Sequence, residues 1–553
     1  MKNILLCQFL VQKIPPAKSG RNFKMVNADR VTIIGRKPQA HWTITGTVSV
    51  LLLLTTILYS CSTESKKGVK ENPDFCSLIH PDTIIGLLKL DSLINYNDHK
   101  TGVYTLEEGD ASMVARAWLS ENAQKTIDIQ YFIFTADNVG LIAADYLVRA
   151  AERGIKVRIL IDDIMVEADE NKLLTLDSHK NISIKIYNPA TNVGKNIFEK
   201  VNSLKNNFLA SNQRMHNKTF TVDGKVVITG GRNIADEYFD YDHEYNFRDR
   251  DVLLIGGITS KVQESFNEFW NSPISRPVTE LVDTANFNFN DSNRFVQLHQ
   301  YACDSNNFWP QVRQKIKNVP VAFDEIQKSG KLQWLDSVEF VSDRPGKNDG
   351  SKGLEGGGIT TSALINLVNC AKKSIVIQSP YLITTNLGKK LFKNAVAKGI
   401  DVKIMTNSLA STDNLEAFSG YQRDRAELLM SGIRIFEYKP DAAIRYKIMT
   451  GALQQKMNYS PVFGLHAKSM VIDGKITVIG TFNLDPRSAN LNTECFTVIY
   501  STSISNDVLK VVEEELKPEN CWETTLKFNP DSKAGLKKNL KLMPMKVIPK
   551  GIL

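Results

Sequence analysis

Residues 214–233 read RMHNKTFTVDGKVVITGGRN, and residues 464–483 read GLHAKSMVIDGKITVIGTFN. Counted from His216 and His466, Lys218 and Lys468 stand at +2, Asp223 and Asp473 at +7, Gly230 and Gly480 at +14, and Asn233 and Asn483 at +17. Glu244 and Glu494 both stand at +28, so every pair is offset by 250 residues. The chain has eight histidines. With Lys and Asp each at roughly one position in sixteen, chance supplies on the order of 0.03 HxKxxxxD matches. Two in register mark a duplication.

The repeat extends outward. Residues 126–134 (TIDIQYFIF) and 374–383 (SIVIQSPYLI) are β-rich runs that lead into amphipathic helical segments, 140–153 and 387–398. Each segment stops at a glycine, Gly154 or Gly399, the residue expected past a helix C-terminus. The strands that follow also match, GIKVRILI from Gly154 and GIDVKIMT from Gly399. Strand, helix and continuous apolar strand predict βαβ units on a largely parallel sheet covered on both faces. The expected fold is α/β, with two halves at 78–275 and 355–525. Between them, 276–354 is expected to be a linker, polar and irregular over 283–348 and ending in the glycine-rich loop 344–358.

The composition (42% hydrophobic, 23% charged) is that of a globular protein and excludes disordered, collagen-like and coiled-coil chains. The net charge of +8 is unevenly placed. Residues 1–41 carry eight basic groups against Asp29 alone, and 42–60 carry no charge, so everything from Cys61 onward sums to +1. Basic stretch, apolar run 44–58 and small residues before a break describe a secretory leader over 1–60, with Met25 an alternative start. Leu58-Tyr59-Ser60-Cys61 resembles the bacterial lipobox, which makes Cys61 the expected lipidation site and 61–77 a tether; an uncleaved membrane anchor is the alternative. Residues 526–553 form a basic tail with Lys533, Lys537, Lys538, Lys541, Lys546 and Lys550, either solvated or resting on anionic lipid. The seven cysteines contain no CxxC pair, suggest no disulfide framework and give no zinc signature.

On a strand, residues two apart share a face, so His and Lys of each motif project together. Asp223-Gly224 and Asp473-Gly474 read as hairpin turns, which leaves the two aspartates as turn formers or site stabilisers. If the halves pack face to face about a pseudo-twofold, two His, two Lys and two Asn converge on one anion-binding cleft. That set suffices for phosphoryl chemistry. One imidazole attacks phosphorus and forms a phosphohistidine, and the other serves as acid and then base. Lys218, Lys468, Asn233 and Asn483 hold the non-bridging oxygens. Glu244 and Glu494 are the expected orienting carboxylates, with Asp249 and Asp251 competing for that role in the first half. A lysine beside each histidine argues against a metal site, because an ammonium repels a cation.

The two HxKxxxxD motifs resemble those of the phospholipase D superfamily. Residues 131–134, 214–217, 230–233, 406–413 (TNSLASTD), 485–488 (DPRS) and 490–494 (NLNTE) resemble bacterial cardiolipin synthases, particularly the synthase C branch. The likeness covers most of 110–500. It implies duplicated phospholipase D-like βαβ sandwich halves with a shared central active-site cleft, and metal-independent, ping-pong phosphatidyl transfer with no cofactor. It further implies His216 as the nucleophile, His466 as acid and base, and phospholipid partners, phosphatidylglycerol and phosphatidylethanolamine. The sequence departs from the pattern where Gly230-Gly231 and Gly480-Thr481 replace Gly-Ser, and in carrying a lipobox.

The expected function is an envelope-anchored phosphatidyltransferase facing the extracytoplasmic side. The alternatives are a phospholipase D hydrolase, in which water takes the acceptor's place, a superfamily nuclease and an inactive scaffold. A nuclease wants a basic groove, whereas residues 61–530 sum to about −4. A scaffold would be expected to lose one motif, and both are intact.

Overall fold

Asp137 accepts a hydrogen bond from the Gly140 amide at 2.9 Å and so caps the helix Asn138–Glu152. Thr385 does the same from Gly388 at 3.0 Å for the helix Asn386–Ala397. Past the ends of these helices Gly154 and Gly399 take φ of +97° and +83°, the left-handed turn that returns the chain to the next strand. The computed structural model in which these features appear describes residues 84–553 apart from 166–169, 190–192, 194–211, 286, 289–292, 348–352 and 449–460. The expected leader, Cys61 and the tether lie outside the described residues, as does most of the spacer before the first motif.

The first half supplies strands β1 (Thr101–Leu106), β2 (Thr126–Tyr131), β3 (Lys156–Asp162), β4 (Ile182–Tyr187), β5 (Thr219–Val222), β6 (Val226–Gly230), β7 (Tyr245–Arg248), β8 (Asp251–Gly256) and β9 (Ser275–Pro277). Next come β10 (Gln333–Leu335) and β11 (Val338–Ser342). The second half supplies β12 (Ser374–Gln378), β13 (Asp401–Asn407), β14 (Arg434–Tyr438), β15 (Val462–Leu465), β16 (Ser469–Ile472), β17 (Ile476–Gly480), β18 (Cys495–Tyr500) and β19 (Cys521–Thr524). Among the described residues these build two large sheets, ordered β10-β1-β8-β6-β5-β2-β3-β4-β9 and β11-β18-β17-β16-β12-β13-β14-β19, and a two-stranded parallel sheet in which β7 of the first half pairs with β15 of the second.

The sheets are mixed rather than largely parallel. β2, β3 and β4 run parallel, as do β12, β13 and β14. The hairpins that follow each His-x-Lys segment add antiparallel strands beside them. The sheets face one another across an apolar layer in which Val227, Val252 and Leu254 meet Val471, Ile479 and Ile499. Helices cover the outer faces.

Three further expectations are corrected. The segment 276–354 is not an irregular linker. It holds helices Val296–Cys303, Pro310–Lys317 and Val319–Lys328, and its strands β10 and β11 extend the two sheets by pairing with β1 and β18. Strands this short carry no readable periodicity, although Pro at the starts of the second and third helices was a usable signal. The tail is not a solvated extension either. Its helix Gly535–Leu542 and following turns pack on the helix Leu415–Met430, burying Leu542 and Ile548. Arg423 donates to the Ile548 carbonyl at 2.8 Å, and Arg425 pairs with Asp531. Cys370, Cys495 and Cys521 are free, but Cys303 is in a disulfide, contrary to the reading of unpaired cysteines.

Candidate active site

His216 and Lys218 stand just before β5, and His466 and Lys468 join β15 to β16. All four side chains are buried. Each histidine segment is pinned by the other half. The His216 amide donates to the Thr493 carbonyl at 2.9 Å, and the His466 amide to the Arg248 carbonyl at 2.8 Å. The residue after each of these carbonyls delivers the carboxylate. Glu494 Oε2 lies 2.8 Å from His216 Nδ1, and Asp249 Oδ2 lies 2.5 Å from His466 Nδ1.

Glu494 is therefore where the repeat predicts a carboxylate, but Glu244 is not. Glu244 is exposed on the approach to β7 and touches neither histidine; its place is taken by Asp249. The strands explain the error. Asp251 pairs with Gly230 and Phe496 with Gly480, an offset of 245 rather than 250. The first half thus carries five extra residues after Asn233, and Asp249 and Glu494 are equivalent, each two residues before the paired position. Asp251, the other competitor, faces away from the histidines and binds Arg116 and Ser112.

Gly231 fits the same geometry. A Cβ there would lie 2.1 Å from Asp249 Oδ1, so only glycine leaves room for the carboxylate. In the second half Thr481 occupies this position and donates to Glu494 Oε2, while Ser488 donates to Oε1 at 2.7 Å. Asp343 at the end of β11 accepts from the Glu494 amide at 3.1 Å. These supporting residues escaped the sequence reading, although Thr481 and Ser488 lie within the quoted motifs. Beyond Asp249, the buried Arg250 pairs with Glu107 and donates to Gln378 and Ser469, tying the halves together beneath the cleft.

Asp223 and Asp473 are turn formers and are corrected as catalytic residues. Both adopt positive φ, +53° and +54°. Asp223 accepts from the amides of Gln124, Lys125 and Thr126 at 2.9, 2.7 and 2.9 Å. Asp473 does so from Lys372, Lys373 and Ser374 at 2.9, 2.7 and 3.0 Å. They stand at the far ends of β5 and β16, about 16 Å along the strand from the lysines. Asn233 and Asn483 are buried beside the site. Asn233 accepts from the Ile133 amide at 3.1 Å, and Asn483 Oδ1 has no hydrogen-bond partner among the described residues.

The electrostatics suit an anion. Burial holds the His216 imidazole down at about 4, against the opposing pull of Glu494. Burial, and then the charge of Lys468, holds His466 at about 3. Burial and the charge of Lys468 bring Lys218 to about 7, and burial brings Lys468 to about 8. Although burial pushes it up, the Asp249 carboxyl is held well below the usual range by His466 and Lys468. Burial thus holds both histidines neutral at pH 7 and weakens the hold of the lysines on their protons, and a phosphodiester anion would favour the charged form of each. Lys468 Nζ sits 2.9 and 3.0 Å from the ring nitrogens of His466. Nε2 of His216 has no hydrogen-bond partner among the described residues, where no cluster of three or more metal-ligating side chains occurs either.

The family described as "Cardiolipin synthase, PLD-like domain" matches residues 119–270 and 364–516, more than half of the chain. The chain belongs to the phospholipase D superfamily. Among its superfamily relatives is the cardiolipin synthase C of Escherichia coli, 31% identical over 422 residues, which span 75% of this chain and 84% of that protein. An uncharacterized protein of Helicobacter pylori is 36% identical over 432 residues, covering 77% and 81%. The crystal structure of a phosphatidylserine synthase from Haemophilus influenzae matches with a TM-score of 0.52 at 14% identity, covering 84% of this chain and all of that one. That likeness concerns the duplicated superfamily fold, with the two motifs of this phospholipase D-superfamily chain meeting between its halves.

Proposed function

We propose that this protein is a phosphatidyltransferase of the cardiolipin synthase type, which moves a phosphatidyl group between phospholipids without a metal ion. The observation that carries this reading is the reciprocal pair of carboxylate-bound histidines, each with a lysine, around one buried anion site. His216, neutral at pH 7 and with Nε2 unpartnered, attacks phosphorus; the phosphorus–oxygen bond to the departing alcohol breaks as His466, which takes up a proton when the phosphodiester anion binds beside it, passes that proton to the leaving oxygen. The acceptor hydroxyl then gives its proton to His466 and takes phosphorus from His216. Lys218, Lys468, Asn233 and Asn483 hold the non-bridging oxygens throughout. The cardiolipin synthase relatives support phospholipids as both partners, with phosphatidylglycerol as acceptor and phosphatidylethanolamine as a donor.

The same proposal places the protein at the outer face of a bacterial membrane, held through Cys61. On the tail, Leu536, Leu540, Met543 and Val547 are 53–79% exposed, interleaved with the exposed Lys533, Lys537, Lys541 and Lys546. Apolar and basic groups so arranged suit an anionic lipid surface. Among the described residues no helix is long and apolar enough to cross a membrane.

The test is mass spectrometry of lipids after the detergent-solubilised full chain meets phosphatidylethanolamine and phosphatidylglycerol in mixed micelles with EDTA. Cardiolipin formed by the intact protein and not by His466→Ala supports the proposal. Phosphatidic acid alone makes water the acceptor, and cleavage of DNA with no lipid product overturns the lipid reading.

A further inference from the structure

The two halves differ most where the helices nearest each catalytic lysine meet the sheet. In the first half this space is plugged. Arg116, on the helix Gly109–Asn122, donates to the Tyr131 hydroxyl at 3.0 Å and pairs with Asp251 at 3.0 Å. Ser112 donates to the same carboxylate at 2.6 Å, and Arg232 lies 3.6 Å from it. The equivalent positions in the second half are Leu364 for Arg116, Ser379 for Tyr131, Phe482 for Arg232 and Phe496 for Asp251. The first two follow from the 248-residue offset of β2 and β12, and the last from the strand register.

Exchanging an ion-pair network for aliphatic and aromatic groups leaves a cavity. It lies between the helices Ile359–Cys370 and Asn386–Ala397 and the sheet, a narrow, half-open slot of about 110 Å³. Its floor is Val368, Ile377, Phe392, Met470, Val478 and Phe496. Its polar end holds Lys468 and Asp485, and Leu387, 55% exposed, stands at the opening between the helices. An apolar slot that begins at a phosphate-binding lysine has the layout of a lipid: charged group at one end, hydrocarbon at the other.

We propose that this cavity receives one acyl chain of the phospholipid whose phosphate lies between His216 and His466. The inference rests on the phosphatidyltransferase reading and adds to it that only the second half takes up hydrocarbon. One chain of the substrate is drawn from the bilayer into the protein, which fixes the phosphate relative to Lys468.

Two variants narrow the slot at different depths, Leu364→Trp near the half-exposed mouth and Val368→Phe at the floor. Turnover of dihexanoyl- and dipalmitoyl-phosphatidylglycerol in mixed micelles is compared with binding of cis-parinaric acid by fluorescence. Each buried methylene is worth about fourfold in affinity, so the wild type should favour the long chain strongly. Each variant should lose about tenfold or more of that preference and bind parinaric acid more weakly. An unchanged chain-length preference in variants that melt like the wild type overturns the inference while leaving the transferase standing. Parinaric acid binding that both variants weaken, in a protein that turns over no lipid, supports the slot and overturns the transferase. Failure of the wild type to bind parinaric acid overturns the slot.

Discussion

Glu494 belongs to the second half of the chain, yet its carboxylate lies 2.8 Å from Nδ1 of His216 in the first. Asp249 returns the arrangement to His466. Each carboxylate fixes a ring tautomer and steadies the imidazolium that forms when the ring takes a proton. Replacing either by its amide, Glu494→Gln or Asp249→Asn, should lower kcat by roughly 10³–10⁴-fold, as for the buried aspartate of a serine-protease triad. Circular dichroism should be unchanged. Glu244→Gln should leave the rate at the wild-type value, and a comparable loss there would refute the assignment of Asp249.

Gly231 is required by contact rather than by backbone conformation. Gly231→Ala places a methyl group where Asp249 Oδ1 now lies. The carboxylate must move, and the expected loss in kcat is at least about 10²-fold, the cost of a misplaced catalytic group. Thr481→Val, which removes one donor to Glu494, should cost less. Steady-state assays on the two variants check the order.

The lysines set the alkaline limit of activity. In the free enzyme His216 becomes neutral above about 4, and Lys218 and Lys468 lose protons near about 7 and 8. The plot of kcat/KM, which reports the free enzyme, should fall most steeply as pH rises through the last two. The stability effect has the opposite sign. Both lysines are held below their unfolded value of about 10.4, so the unfolded chain binds more protons, and their contribution to stability grows as pH rises. Lys218→Met should accordingly abolish turnover yet stabilise the fold at pH 7, by on the order of 2–4 kcal/mol. A lower melting temperature for that variant would contradict the cost of burying the Lys218 charge described above.

Asp223 serves the fold. Asp223→Ala frees three backbone amides at the start of β2 and removes a side chain suited to its turn. The expected cost is about 1–3 kcal/mol, with kcat per folded molecule unchanged. Denaturant melts alongside active-site titration separate the two effects.

Much of the site was legible because the motif spacing survives in both copies. His216, Lys218, His466 and Lys468 follow from two residue types at a fixed interval, and Asp-Gly marks its own turn through positive φ. The acidic partner was half legible. Glu494 follows from register, but the five residues added between Asn233 and Asp249 shift the first copy and leave an exposed Glu244 in the expected place. That each carboxylate crosses to the other half is a property of packing, which a linear repeat does not encode. Strands β10 and β11 were hidden by their shortness, and the packed tail by a composition that reads as solvated.

The tail offers a separate test of the membrane reading. Leu536→Glu with Leu540→Glu alters two exposed groups, 77% and 53%, without touching the buried Leu542. The double variant should float less with vesicles containing phosphatidylglycerol, each lost apolar group weakening insertion. Its turnover of a dispersed short-chain lipid should match the wild type. Undiminished flotation would remove the tail from the membrane contact.

The reciprocal loan of carboxylates also bears on how the enzyme is born. When the first half leaves the ribosome it has His216 and Lys218 but no Glu494, and it holds Asp249 with no histidine to serve. Folding of that half alone yields an imidazole with no orienting partner. The site is complete only when residues 493–494 pack against the first motif. A chain that ends before Thr493 therefore lacks both the backbone pin and the carboxylate of His216.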